Sequence, residues 1–171
     1  MKILLRVMTA LLLIGAGVYL FALSSPAEQT ITRSTTLKQK PEAVFELLDD
    51  VENMPKWNRS LERVEILPPI DGKEATRQTF NGKMQMTIVT SESVPPHRLV
   101  RSMGDIGGPF VGSWTYDIQP TGDGSTVALT EKSRMKNPFF RLVVKAFGPT
   151  RYMDQHLEDI AKNFGETAVI R

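Results

Sequence analysis

With 171 residues the chain is long enough for one domain with a sizeable core, and its 41% hydrophobic and 23% charged residues are ordinary for a globular protein. The formal net charge is +2, but without Lys2 and Arg6 the chain balances at 19 basic against 19 acidic residues, so bulk charge gives no argument for nucleic acid. The absence of cysteine excludes disulfides and thiolate chemistry. His97 and His156 stand too far apart in sequence to suggest a histidine-rich metal site, so neither a metal nor a cofactor is expected.

Val7 to Ala27 form an uncharged, mostly apolar run of 21 residues, enough to cross a bilayer as a helix. Lys2 and Arg6 precede it with no acid between them. By the positive-inside rule the N-terminus stays cytoplasmic and the domain lies on the extracytoplasmic side. A cleaved signal peptide is the competing reading, since Ala22-Leu23-Ser24 and Ser25-Pro26-Ala27 both offer small residues at cleavage spacing. The apolar stretch exceeds a usual signal core, which favours a retained, single-pass anchor in the cell membrane. Either reading exports the domain and divides the chain into 1–27 and 28–171. The linker Ser24 to Thr30 reaches at most about 25 Å, so a retained anchor would hold the domain against the membrane.

Thr30 to Leu37 alternates weakly and is rich in threonine, which suits a first strand. Pro41-Glu42 then starts a short helix with Ala43, Val44, Leu47 and Leu48 on its apolar face, and Asp49-Asp50 closes it. Pro55 limits the next helical turn, which ends near Trp57. A series of strand-like runs follows. Ser60 to Leu67 is expected to stop at Pro68-Pro69. Lys73 to Phe80 turns at Asn81-Gly82 into an alternating run with Met84, Met86 and Ile88 on one face. Pro95-Pro96 precedes Arg98 to Met103. A glycine-rich stretch, Gly104 to Gly112, reads as a flexible rim loop and lacks the Lys-Ser/Thr ending of a phosphate loop. Trp114, Tyr116 and Ile118 share one strand face. After a turn at Gly122-Asp123-Gly124, Val127, Leu129, Glu131, Ser133 and Met135 share another.

Asn137-Pro138 opens the last helical stretch, with Asn as cap and Pro in the first turn. Phe139, Leu142, Val143, Ala146, Met153, Leu157, Ile160 and Phe164 fall in one stripe, which predicts one long helix to Phe164, kinked or broken at Gly148-Pro149. This helix is the element expected to cover an antiparallel meander of about six strands.

Two stretches carry a likeness: Pro41-Glu42-Ala43-Val44-Phe45-Glu46-Leu47-Leu48-Asp49-Asp50, and Met54-Pro55-Lys56-Trp57 after it. With the Trp114-x-Tyr116 strand and the closing Leu157-x-x-Ile160 helix, the chain resembles the SRPBCC superfamily from about Thr30 to Phe164. That group includes START lipid-transfer domains and polyketide cyclase/dehydratase-like proteins. The resemblance implies an α+β helix-grip fold, a curved antiparallel sheet of about six to seven strands around a long C-terminal helix. It implies no particular reaction, because the superfamily shares a scaffold rather than a chemistry.

In such a fold the sheet and helix enclose a cavity. Met84, Met86, Met103, Trp114, Tyr116, Leu129 and Met135 are the expected liners, with Trp57, Phe140 and Phe147 added as ligand contacts; each of the strand residues has core filling as its alternative role. Glu131 is the polar residue among them. Turned inward it would hold a polar head group or serve as a weak candidate acid/base; at the cavity mouth it would pair with Arg101 or Arg134. Lys132 to Arg151 contains Lys132, Arg134, Lys136, Arg141, Lys145 and Arg151 with no acid, beside surplus apolar surface from Phe140, Val144 and Phe147. That combination suits an anionic membrane, with a solvated basic face as the alternative. Three functions remain open. The first is a membrane-tethered domain binding a hydrophobic small molecule or lipid. The second is a cyclase/dehydratase-like enzyme using Glu131. The third is a protein-interaction module with a filled core.

Overall fold

The computed structural model describes residues 2–82, 84–103 and 110–171, with side chains except at positions 3–5, 10, 110 and 147. The core of the Gly104 to Gly112 loop, residues 104–109, lies outside the described residues. An apolar helix, α1 (Lys2–Ser24), leads through a short link into β1 (Glu28–Leu37). Pro41 opens α2 (Pro41–Asp49), with Glu42 near the positive helix end. Asp50 caps the 3-10 helix Val51–Lys56 by accepting from the Asn53 N–H.

The meander follows: β2 (Leu61–Ile70), β3 (Lys73–Phe80), β4 (Met84–Val94), β5 (Arg98–Met103), β6 (Phe110–Thr121) and β7 (Gly124–Met135). With β1 these form, among the described residues, one seven-stranded antiparallel sheet ordered β1-β7-β6-β5-β4-β3-β2. β1 and β2, consecutive in sequence, therefore lie at opposite edges. Between them α2 packs on β5 and β6, and the 3-10 helix packs on β2. This is the α+β helix-grip arrangement expected from the sequence.

Two expectations need correction. Pro68-Pro69 do not end β2, which runs on to Ile70 with a register shift between Leu67 and Ile70. β2 is an edge strand, where a missing N–H need not break a ladder. It turns into β3 through Asp71 and Gly72, both at positive φ (51° and 73°), a pairing suited to a two-residue hairpin.

The break expected at Gly148-Pro149 is present, so the long stretch is two helices; the second correction is that only the later one lies over the core, where the whole stretch was expected to cover the sheet. α3 (Pro138–Phe147) ends at Gly148, whose φ of 90° leaves helical space, and α4 (Arg151–Asn163) begins after Pro149. Of these two helices it is α4 that covers the sheet, beside α2, over a span of about 20 Å at ~1.5 Å per residue. α3 turns away and packs along α1, with Tyr19 and Phe139 rings 5.7 Å apart.

The core lies between α2, α4 and the concave sheet face. Val44, Leu48, Leu99, Ile118, Val127, Leu129, Met153, Leu157 and Ile160 are fully buried there. A satellite cluster of Val51, Met54, Leu61 and Phe80 sits under the 3-10 helix, bridged to the core by Trp57. Ion pairs fix α4 at both ends, Arg33 to Asp154 at 2.6 Å and Arg59 to the buried Asp159 at 2.5 Å. At the β6–β7 turn a Cβ on Gly124 would meet the Leu37 carbonyl oxygen at 2.0 Å, so only glycine lets β1 end against the turn. The C-terminal tail returns beside β1. Ser34 and Arg171 exchange both backbone hydrogen bonds, and Ala168 and Ile170 pack on the core.

Candidate functional site

Strand alternation sends Leu99, Arg101 and Met103 of β5 inward, and each is buried. The register then places Arg101 beside Trp114 and Trp114 beside Glu131, one polar row across three strands. The next row is Leu99, Tyr116 and Leu129. From above, α4 sets Tyr152 and His156 one turn apart on its buried face.

His156 is the centre of this arrangement. It is 1% exposed and its ring lies 5.4 Å from Trp57, 5.7 Å from Tyr116 and 5.9 Å from Tyr152, stacked on the last. Burial, and then the charge of Arg101, lower its pKa to about 3, so the ring is neutral. Its tautomer follows from its neighbours. Asn58 Oδ1 accepts the Ser60 N–H at 3.0 Å, which leaves the amide Nδ2 to donate to His156 Nδ1 at 3.2 Å. The ring proton therefore sits on Nε2 and is donated to the Tyr116 hydroxyl oxygen at 2.9 Å. Tyr116 keeps its own hydroxyl proton for a further acceptor. Burial pushes the Tyr116 pKa up to about 12, so the phenol stays protonated and donates at neutral pH. Burial likewise raises Tyr152.

Arg101 is 3% exposed and its hydrogen-bond partners are neutral. It donates to the Leu48 carbonyl at 2.5 Å and to the Met54 sulfur at 3.4 Å, while its Nε has no partner. Burial lowers its pKa from the ordinary guanidinium value, but arginine remains a cation at neutral pH. With no carboxylate in contact, the desolvation cost of this buried cation is offset only from a distance, by Glu74 and Asp49. The Trp57 indole N–H is also buried without a partner. Glu131, 9% exposed, accepts the Trp114 indole N–H at 3.0 Å. It pairs with neither Arg101 nor Arg134, the two partners read from sequence; Arg134 faces Glu28 at 3.6 Å.

Of the residues singled out in the sequence, the fold brings Trp57, Trp114, Tyr116, Leu129 and Glu131 together around His156 and the core. Met103 and Met135 are buried, and Met86 is half-buried in the satellite cluster. Met84 is 54% exposed at the tip of the β3–β4 hairpin, and Phe140 is 44% exposed on α3. Alternation had set the face of Met84, and helical periodicity that of Phe140, but neither sets what covers a face. The Phe147 side chain lies outside the described residues.

Arg101, Asn58, Tyr152 and His156 carry most of the polar geometry, and sequence reading missed that role. The signals were present. Arg101 alternates with Leu99 and Met103, and His156 lies between Met153 and Leu157 on the buried side of its helix. Among the described residues no cluster of acids and histidines could hold a metal ion.

Residues 28–165 match the family described as polyketide cyclase/dehydrase and lipid transport. The chain belongs to this family. Its fold is the SRPBCC ligand-binding fold, related to polyketide cyclases and START proteins. One similar structure is the Zhui aromatase/cyclase from Streptomyces sp. R1128, 14% identical, with a TM-score of 0.65 over 78% of this chain and 91% of that one. Truncated norcoclaurine synthase from Thalictrum flavum is 16% identical, with a TM-score of 0.63 over 80% and 93%. A START superfamily protein from Mycobacterium smegmatis is 15% identical, with a TM-score of 0.61 over 79% and 98%. At these identities the likeness concerns the fold. No curated protein matches the chain.

Proposed function

We propose that this protein is a membrane-tethered, exported binder of a hydrophobic small molecule or lipid, with residues 1–27 as anchor and 28–171 as binding domain. The observation that carries this reading is the buried Arg101, whose Nε lacks a partner, on the same inner face as a Tyr116 hydroxyl relieved of its acceptor duty by His156. A cation and a neutral donor in an apolar interior suit a ligand with an apolar body and one carbonyl or carboxylate end. The placement at the extracytoplasmic face of the cell membrane is supported by α1. Its Arg6–Ser24 segment is long and apolar enough to cross a bilayer, and Lys2 and Arg6 lie at its start.

The test is native mass spectrometry on the full chain released from lipid nanodiscs. A discrete adduct of small-molecule or lipid size in the wild type, lost in Arg101→Gln and weakened about fivefold or more in Tyr116→Phe, is the expected result. A bare protein mass from both wild type and Tyr116→Phe would sink the carrier reading.

A second reading, a cyclase/dehydratase-like enzyme, rests on the Glu131 carboxylate held inside by Trp114. Under that reading Glu131→Gln abolishes turnover of an extracted ligand while leaving its binding intact. Unchanged turnover in that variant would remove it.

A further inference from the structure

Where α1 meets the domain, a cleft of about 340 Å³ opens between the end of α1, β1 and α3. Its walls are apolar at Phe21, Val144 and Pro149, and its polar lining includes Gln29, Arg141 and Lys145. Arg141 and Lys145 are one helical turn apart, on one side of α3. Arg141 is fixed in place, its guanidinium donating to the Met135, Ser25 and Lys136 carbonyls at 2.8, 2.9 and 3.2 Å. Neither cation has a carboxylate partner among the described residues, and no acid lines the cleft. The Gln29 Nε2 is buried there without a hydrogen-bond partner. Across the β1–β7 ladder the Ser133 Oγ, opposite Gln29, is buried and unpartnered too. Two cations and an unmet amide donor at an apolar cleft form a receptor for an anionic oxygen group joined to hydrocarbon.

The position of the cleft selects the source of that group. Phe139 of α3 packs on Tyr19, five residues before Ser24, and so lies about 7 Å below the outer end of α1 at ~1.5 Å per residue. Phe139, Phe140 and Val143 remain 47%, 44% and 48% exposed on that helix. In a bilayer crossed by α1, these side chains reach the boundary of headgroups and acyl chains, and the cleft stands at headgroup level. We infer that this cleft binds the phosphate headgroup of an anionic phospholipid, whose acyl chains run beside α1. The assignment rests on the reading of α1 as an anchor.

The experiment uses the full chain in nanodiscs containing equal amounts of phosphatidylglycerol and phosphatidylcholine with matched acyl chains. Native mass spectrometry after release counts the lipids retained. The expected result is preferential retention of phosphatidylglycerol, reduced about fivefold by Lys145→Gln, with phosphatidylcholine retention and thermal stability unchanged. Gln29→Leu, which removes the unmet donor while keeping bulk, is expected to reduce the preference in the same direction. Equal retention of the two lipids by the wild type would overturn the site, as would a Lys145→Gln variant with an undiminished preference. Loss of the preference in millimolar inorganic phosphate would overturn the lipid source in favour of free phosphate. Alkaline carbonate extraction of native membranes separates the underlying reading. A chain that stays in the membrane but shows no lipid preference removes only the headgroup site, whereas a chain that is released removes the anchor and the site with it.

Discussion

α3 and α4 share one apolar stripe in the sequence and meet opposite fates. On α4 the stripe residues Met153, Leu157 and Ile160 are fully buried against the sheet, while on α3 Phe139 and Val143 are 47% and 48% exposed. Ten residues of one and thirteen of the other obey the same periodicity. The break at Gly148 redirects the first helix onto α1, and from there its apolar side faces outward. Periodicity specifies that a helix has an apolar face. It does not specify whether protein or lipid covers that face.

The comparison is sharpest in core truncations. Leu157→Ala is expected to destabilise the protein by about 3 kcal/mol, because a fully buried leucine leaves both lost transfer energy and a cavity. Urea unfolding of the full chain in a mild detergent measures it, and a loss under about 1 kcal/mol would mean that α4 is not the cover of the core.

Next in size is the pH response of α4, which α3 has no counterpart for. His156 has a folded pKa near 3 against an ordinary 6.5, so between those values the unfolded state binds the extra proton. Stability contributed by the neutral ring is complete above about pH 6.5 and falls as the pH drops, by up to about 1.4 kcal/mol per pH unit. Unfolding curves at several pH values should show this slope in the wild type and a shallower one in His156→Gln. Parallel slopes would contradict the neutral, buried ring.

Asn137 caps α3 by accepting the Phe139 and Phe140 N–H groups at 2.9 and 3.3 Å. Asn137→Ala should cost about 1 kcal/mol, seen as faster amide exchange confined to α3. Exchange that spreads into α4 would show that the two helices still melt as one unit. The smallest effect belongs to Val143→Ala on the exposed side of α3, within about 0.5 kcal/mol of wild type by the same urea measurement. A loss as large as that of Leu157→Ala would erase the contrast between the helices.

Much of this architecture is legible in the residues. Pro41-Glu42 marks α2, alternation marks β4, β6 and β7, and Asn81-Gly82 marks a hairpin, because each is a local rule read locally. Pro68-Pro69 misled because a proline's effect depends on whether its strand is an edge, which is a property of the whole sheet. Alternation puts Glu131 on the face of Leu129 and Met135 and leaves open whether it turns inward or sits at a cavity mouth; its partner, Trp114, lies on a neighbouring strand and becomes known only with the register. His156 stayed hidden for a different reason. Its place between Met153 and Leu157 signals burial only, and its role here depends on Asn58, 98 residues away, fixing which ring nitrogen carries the proton.

The two edges of the sheet are closed to further strands by different means. β2 presents Pro68-Pro69, which lack the N–H groups another strand would need. β1 has no such block and depends on the tail, where Arg171 takes the Ser34 backbone groups for itself. Self-association is thus held off at that edge by a few residues at the other end of the chain from α1. Loss of residues 169–171 would leave the Ser34 backbone groups open and make that edge a template for a second copy of the chain.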